Sequence, residues 1–389
     1  MKRQKPKWHL LLSVIMILFA AFTFTLFKFL DSKRSVQTES KSIDYDIEEV
    51  YKAFIEEEEY LPEDLREIEK VETEVSAWIA YWDFYNALDT YKLNKSNIKS
   101  LSPTWYFLQA DGSLGLKNTA RNSELINLSK ENDTGLVPSI SNSNAEELSK
   151  ILNSSTLLDS HISNIASEIE TYKYTGIDID YESIKASDRE KFSNFIKLLS
   201  EKLHKNGKIL TIAVLWKNDL EGLIESVSQS RGAQDWPEIS RYVDEFRIMA
   251  YDYTGSADLP GSIAPRDWIR SILDYAQDNV TSHDKIVLGL PLYAYKWVED
   301  TKGADALVWT DVNYLIVENK NQIIWNKLDE ETLEKMLKYK SGGQTWVIWY
   351  QDREVTEKRI ELAKTYGVNK FIFWRLGGED PEIFDLLND

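Results

Sequence analysis

The chain contains no cysteine, which excludes disulfides, thiolate metal sites and a cysteine nucleophile. Histidine is scarce: His9, His161, His204 and His283 are scattered and lack metal-ligand spacing. All four are expected at the surface or the membrane edge, and neither a metal nor a cofactor is expected. Positive charge is outweighed, with 46 Lys and Arg against 64 Asp and Glu and a formal net charge of −18. Nucleic acid, which requires a basic footprint, is thereby excluded as a partner. Neither a Gly-x-Ser-x-Gly elbow nor a Gly-x-x-x-x-Gly-Lys phosphate loop occurs.

Long apolar runs are nearly absent too. One uncharged stretch, Leu10 to Phe27, follows Lys2, Arg3, Lys5 and Lys7. At about 20 residues per crossing it is just long enough to span a bilayer, and the basic flank puts the N-terminus in the cytoplasm. A cleaved signal peptide, giving a secreted protein, is the rival; Ala20-Ala21 followed by Phe22-Thr23-Phe24-Thr25 makes a poor cleavage site. The expectation is a single-pass protein of a bacterial cell membrane: anchor in residues 1–30, acidic stalk in 31–74, folded body in 75–389 and facing outward.

Against these absences stands one dense motif, Gly176-Ile177-Asp178-Ile179-Asp180-Tyr181-Glu182. Acids alternate with large apolar residues, the period of a β-strand. Asp178, Asp180 and Glu182 would share one face, about 6.6 Å apart. Spacing alone proves little. Asp44-Tyr45-Asp46-Ile47-Glu48 repeats the acid pattern where Ile47, Val50, Tyr51, Phe54 and Ile55 recur at helical spacing, so those acids read as the first turn of a helix. The copy at Asp178 is followed by Ser187-Asp188-Arg189-Glu190, which reads as a capping box, and then by the helical stripe Phe192, Phe195, Ile196, Leu199, Leu203. Acids where a strand feeds a helix lie where α/β folds bind ligands.

Eight apolar runs read as strands: Val75–Trp82, Ser102–Leu108, Gly135–Ile140, Gly176–Tyr181, Ile209–Leu215, Glu245–Tyr251, Lys285–Leu292 and Lys370–Trp374. Helical patterns separate most of them, so the expected fold is α/β, a (β/α)8 TIM barrel. A doubly wound open sheet is the runner-up, opposed by Trp82-Asp83-Phe84-Tyr85 in place of a Gly-rich loop after the first strand. A small α+β insertion, about 294–343, is expected after the seventh strand, with a helix at Glu331–Tyr339. Thirteen tryptophans exceed the needs of packing, and aromatic platforms hold sugars, though most are expected in the core.

Polar and aromatic groups gather at other strand ends. Met249-Ala250-Tyr251-Asp252 closes the sixth strand and Trp374 the eighth. Together with the acid row, these segments resemble glycoside hydrolase family 18, the chitinases and related β-N-acetylglucosaminidases, whose signature is Asp-Gly-x-Asp-x-Asp-x-Glu. The resemblance runs from about Val75 to Asp389. Its tail, Trp346 to Phe384, is most similar to spore-cortex peptidoglycan glucosaminidases. Thr175 departs from the signature's first acid; it would lie deepest in the strand, about 23 Å from Glu182, and so affects support rather than chemistry.

The resemblance implies cleavage of β-linked N-acetylglucosamine glycans, peptidoglycan-like or chitin-like, by a substrate-assisted retaining mechanism. Glu182 would be the acid and later the base. Asp180 would orient the acetamide, and Asp178 would share a proton with it. Tyr251 would donate to the acetamide oxygen, Trp374 would form the floor, and Asp252 would hold the distorted sugar. Met249, Trp105, Trp216 and Tyr293 complete the candidate substrate-binding set. Three alternatives remain: a catalytically silent sugar-binding member, an endo-β-N-acetylglucosaminidase acting on N-glycans, and a structural envelope protein. A cation site at Asp178 and Asp180 is a weaker reading.

Overall fold

The computed structural model describes residues 72–219 and 229–387. In chain order its strands are β1 (Glu74–Ile79), β2 (Ser100–Pro103), β3 (Tyr106–Leu108), β4 (Leu114–Leu116), β5 (Gly135–Leu136), β6 (Ser139–Asn142), β7 (Gly176–Tyr181), β8 (Ile209–Leu215), β9 (Glu245–Met249) and β10 (Ile286–Pro291). There follow β11 (Tyr293–Val298), β12 (Asp305–Val308), β13 (Ile323–Asp329), β14 (Glu334–Ser341), β15 (Gln344–Tyr350) and β16 (Lys370–Trp374). The larger sheet has the order β4-β3-β6-β7-β8-β9-β10-β16-β1-β2-β5. All its pairs are parallel except β3 with β4. Because β2 leads into β3 and β5 into β6, the two ends of this order are consecutive in the chain. That arrangement is compatible with a TIM-like fold.

Several expectations need correcting. The spanning stretch Leu10–Phe27, the helical acids at Asp44 and nearly all of the stalk lie outside the described residues. Among the described residues no helix is long and apolar enough to cross a membrane. The membrane anchor, and the single-pass location built on it, are therefore withdrawn. The second and third barrel strands are each broken in two. Pro103 and Pro138 fall at the breaks, where a residue without an N–H cannot continue the ladder. The helix Arg189–His204 starts after a short turn, and its N-cap, Asp188, makes no capping bond; Asp188 instead accepts from Asn153 at 3.2 Å.

The insertion is a five-stranded antiparallel sheet, β12-β11-β15-β14-β13, carrying the helix Trp309–Glu318. It therefore extends beyond the expected 294–343 at both ends. Glu331–Tyr339, expected as a helix, forms a turn and most of β14. Its residues are good helix formers, but β14 pairs with β13 and β15 along its length and buries Leu337 and Tyr339 in the insertion's own core. Tertiary pairing overrides a weak local preference here.

Two apolar layers position the site. Outward residues of the barrel strands pack on the helices in the main core, while Trp78, Met249, Tyr251, Val287, Tyr293 and Ile372 cluster separately. Strands β7 and β8 run so close that a Cβ on Gly176 would meet the Ile209 carbonyl oxygen at 2.1 Å. Glu334, fully buried, ties the insertion to the barrel. It accepts from Ser262 Oγ at 2.6 Å, the Ile263 and Ala264 N–H groups at 3.0 and 3.1 Å, Gln351 at 2.7 Å and Arg359 at 3.0 Å. Removing one member of such a buried pair strands the other charge, at a cost of about 3–5 kcal/mol. Urea unfolding of Glu334→Ala is expected to show a loss of that order, and the double variant Glu334→Ala/Arg359→Met is expected to recover at least half of it.

Candidate active site

Along β7 the apolar set is driven outward. Ile177, Ile179 and Tyr181 are fully buried in the main core, which turns the acids the other way. Exposure then rises step by step: Asp178 is buried, Asp180 half-buried and Glu182 exposed. Tyr181 is fastened from behind by His161. Because Gly112 O can only accept, His161 Nδ1–H donates to it at 2.8 Å, and Nε2 accepts from the Tyr181 hydroxyl at 2.7 Å. His161 is thus not the surface residue expected; it is fully buried, and burial pulls its pKa down to about 4. Thr175, in place of the signature acid, accepts from Leu136 N–H at 3.0 Å.

Asp178 is surrounded by donors: Trp78 Nε1 at 2.9 Å, Ser139 Oγ at 2.8 Å, Thr211 Oγ1 at 2.6 Å and the Arg247 guanidinium at 3.3 Å. It has no free oxygen to offer a cation, so the cation-site reading fails. Asp180 is the opposite case. Its buried Oδ1 has no hydrogen-bond partner. Burial, then the charges of Glu182 and Asp178, hold its carboxyl well above the usual range. Glu182 touches solvent yet is crowded by protein; lost hydration, then the charge of Asp252, raises it too.

Opposite the row, Tyr251 stacks on Trp374 with ring centroids 6.5 Å apart and meets Tyr293 edge-on at 6.3 Å. Burial first, then the charges of Asp180, Glu182, Asp252 and Asp178, raise the Tyr251 phenol well above its ordinary value. Its hydroxyl therefore stays a donor. Asp252 has a left-handed φ of 60°, uncommon outside glycine. It accepts from the hydroxyls of Tyr293 and Tyr295, the latter at 3.1 Å. Trp374 also meets Trp78 and Trp82 edge-on at 6.0 and 6.2 Å, and its peptide bond to Arg375 is cis.

A groove of about 810 Å³ opens beside this cluster, lined among others by Trp82, Asp83, Asp252, Tyr293, Trp374 and Arg375. The fold thus brings Asp178, Asp180, Glu182, Met249, Tyr251, Asp252, Tyr293 and Trp374 to one region. Trp105 does not join them: it is fully buried in the main core beside Tyr174 and offers no face to a sugar. Trp216 packs on Trp268 at 5.1 Å with Arg231 over its ring, and is not among the groove's lining residues. Sequence reasoning missed Trp78, Trp82, Tyr295, Arg247 and the Arg375–Asp83 ion pair. Only Arg247 left a signal, a cation on the same strand face as Met249.

A row of acids graded from buried to exposed thus lies beside a donor tyrosine, Tyr251, and the aromatic ring of Trp374. Residues 74–379 match the model of Glycosyl hydrolases family 18, and the chain belongs to that family. It is 26% identical over 251 residues to the uncharacterized glycosylase YvbX of Bacillus subtilis (strain 168), covering 61% of this chain and 67% of that one. It is 23% identical over 251 residues to the cortical fragment-lytic enzyme of the same organism. That match covers 63% of this chain and only 56% of the relative. Among solved structures, a chitinase from Chromobacterium violaceum superposes with a TM-score of 0.72 at 22% identity, covering 81% of this chain and 98% of that one.

The raised carboxyl of Asp180 has a stability consequence of definite sign. A group that binds its proton more tightly when folded contributes stability below its unfolded pKa and loses it as pH rises through the folded value. Asp180→Asn cannot ionise. Its melting temperature is expected to match wild type near about pH 4 and to exceed it at about pH 9. A pH series of thermal melts checks this, and a gap independent of pH would contradict it.

Proposed function

We propose that the protein hydrolyses β-linked N-acetylglucosamine-containing glycans, peptidoglycan-like chains first and chitin-like chains second, with retention at the anomeric carbon. The observation that carries the reading is the pairing of one exposed acid, Glu182, with a half-buried aspartate, Asp180, whose buried Oδ1 has no partner. The substrate's own 2-acetamido oxygen is the nucleophile, an arrangement in which effective molarities reach about 10⁵–10⁸ M. Glu182 gives its proton to the leaving glycosidic oxygen as the acetamide oxygen closes on the anomeric carbon. Asp180 faces the acetamide N–H and steadies the cyclic cation. Tyr251 donates to the acetamide oxygen before attack. Trp374 floors the sugar, and Asp252, held by Tyr293 and Tyr295, binds its distorted ring. Glu182 then takes a proton from water, which opens the ring from the opposite side. The likeness to the cortical fragment-lytic enzyme favours peptidoglycan-like chains.

Two measurements test this. Glu182→Gln is expected to keep the fold and glycan binding while turnover falls about 10²- to 10⁴-fold. Matched oligomers of N-acetylglucosamine and glucosamine should differ sharply in initial rate, with the β-anomer formed first by NMR. Equal rates, or an inverted product, would remove the acetamide from the mechanism.

A further inference from the structure

Arg247 is a fully buried cation that the proposed chemistry leaves unused. Strand alternation puts it on the same face of β9 as Glu245 and Met249. Its guanidinium reaches Asp178 at 3.3 Å, Glu245 at 2.7 and 2.9 Å, Ser102 Oγ at 2.6 Å and Ser100 Oγ at 3.5 Å. Small inward residues on β2, β6 and β8 leave room for this network: Ser100, Ser102, Ser139 and Thr211, all buried.

The two oxygens of Asp178 are not equivalent, and both are taken. Oδ1 faces Thr211 Oγ1 and Arg247; Oδ2 faces Ser139 Oγ and Trp78 Nε1. Serine and threonine hydroxyls can turn round and accept, but an indole N–H and a guanidinium can only donate. Each oxygen therefore faces one donor that cannot reverse its bond. Two residues further on, Asp180 has a buried Oδ1 with no partner. The ionisable groups around the row are Asp178 and Glu182 on or beside β7, Glu245 and Arg247 on β9, Tyr251 and Asp252 beyond it, and Tyr293 on β11. Arg247 alone of these is positive, and it serves Asp178.

We infer that Arg247 is a positioning residue for the acid row: with Trp78 it occupies both oxygens of Asp178 and leaves the row's proton on Asp180, beside Glu182. This replaces the shared proton that two neighbouring aspartates would otherwise hold. It rests on the hydrolytic reading of Glu182, because a proton beside that acid matters only if the acid works.

The test compares Arg247→Met and Arg247→Lys with wild type on N-acetylglucosamine oligomers across pH, alongside urea unfolding. Arg247→Met is expected to lower kcat at least about tenfold with KM within about threefold, and to move the acid limb of kcat/KM by more than about one pH unit. Arg247→Lys, which keeps the charge, should retain the limb. A normal limb in Arg247→Met, with any defect confined to stability, overturns the inference. A measurement on the intact site covers the case in which neither variant folds. Infrared spectra with carbon-13 aspartate carboxyls should show a protonated band at neutral pH that vanishes in Asp180→Asn and persists in Asp178→Asn; the reverse overturns the inference. A wild-type enzyme inactive on every oligomer would sink the hydrolytic reading, while the infrared result would still locate the proton.

Discussion

A carboxylate buried inside a barrel has lost the water that stabilised it, and the protein must put donors in its place. Asp178 meets that requirement with groups from four different strands: Trp78 on β1, Ser139 on β6, Thr211 on β8 and Arg247 on β9. The requirement shapes much of the interior. Small buried serines line the inner faces of β2 and β6, and Arg247 brings Glu245 with it as a second counter-charge. Once Asp178 is satisfied, the next acid in the row is not. Asp180 is left among like charges with an unpaired buried oxygen, and Glu182 is raised beyond it. Carboxyls held above their usual range thus begin one step beyond the satisfied end of the strand.

The rim depends on a second buried charge. Glu334 collects donors from the loop after β9, from the residue after β15 and from the helix Arg353–Lys364. Ile263, one of its partners, accepts from Tyr253 N–H at 2.8 Å, the residue beside Asp252. The insertion also supplies Tyr293 and Tyr295, whose hydroxyls hold Asp252. One wall of the groove is thus set by two tyrosines that lie 41 and 43 positions beyond the aspartate they hold. The contact of Gly378 with the insertion follows the same logic: a Cβ there would lie 2.5 Å from Val308 Cγ2, and Thr310 N–H donates to the Gly378 carbonyl at 3.0 Å.

Much of the site was legible because its pattern is local. Ile177, Ile179 and Tyr181 against Asp178, Asp180 and Glu182 is a period-two string, and period two leaves a strand one way to face. Met249-Ala250-Tyr251-Asp252 and Trp374 were readable for the same reason, each closing an apolar strand. Trp105 was misjudged because it was read within one continuous strand; it falls in the break between β2 and β3 and lies buried against Tyr174. His161 was misjudged because its partners, Gly112 and Tyr181, lie 49 and 20 residues away. β14 was read as a helix because its propensity is helical and its strand partners are remote. The apolar stretch at the N-terminus was read as an anchor from its length, its basic flank and its poor cleavage site, a reading that finds no support among the described residues.

What the sequence determined by itself is the set of elements whose signal lies within a few residues: the acid strand, the helix that follows it and the order of the strand ends that carry chemistry. Tertiary structure decided the rest. It broke two barrel strands at prolines, turned a helix-forming segment into a sheet, and gave each acid its surroundings by choosing its neighbours. The physical reason is that a carboxylate's behaviour depends on the donors and charges within a few ångströms. Those neighbours come from strands as far apart as Trp78 and Arg247, and no local pattern in the chain records that they will meet.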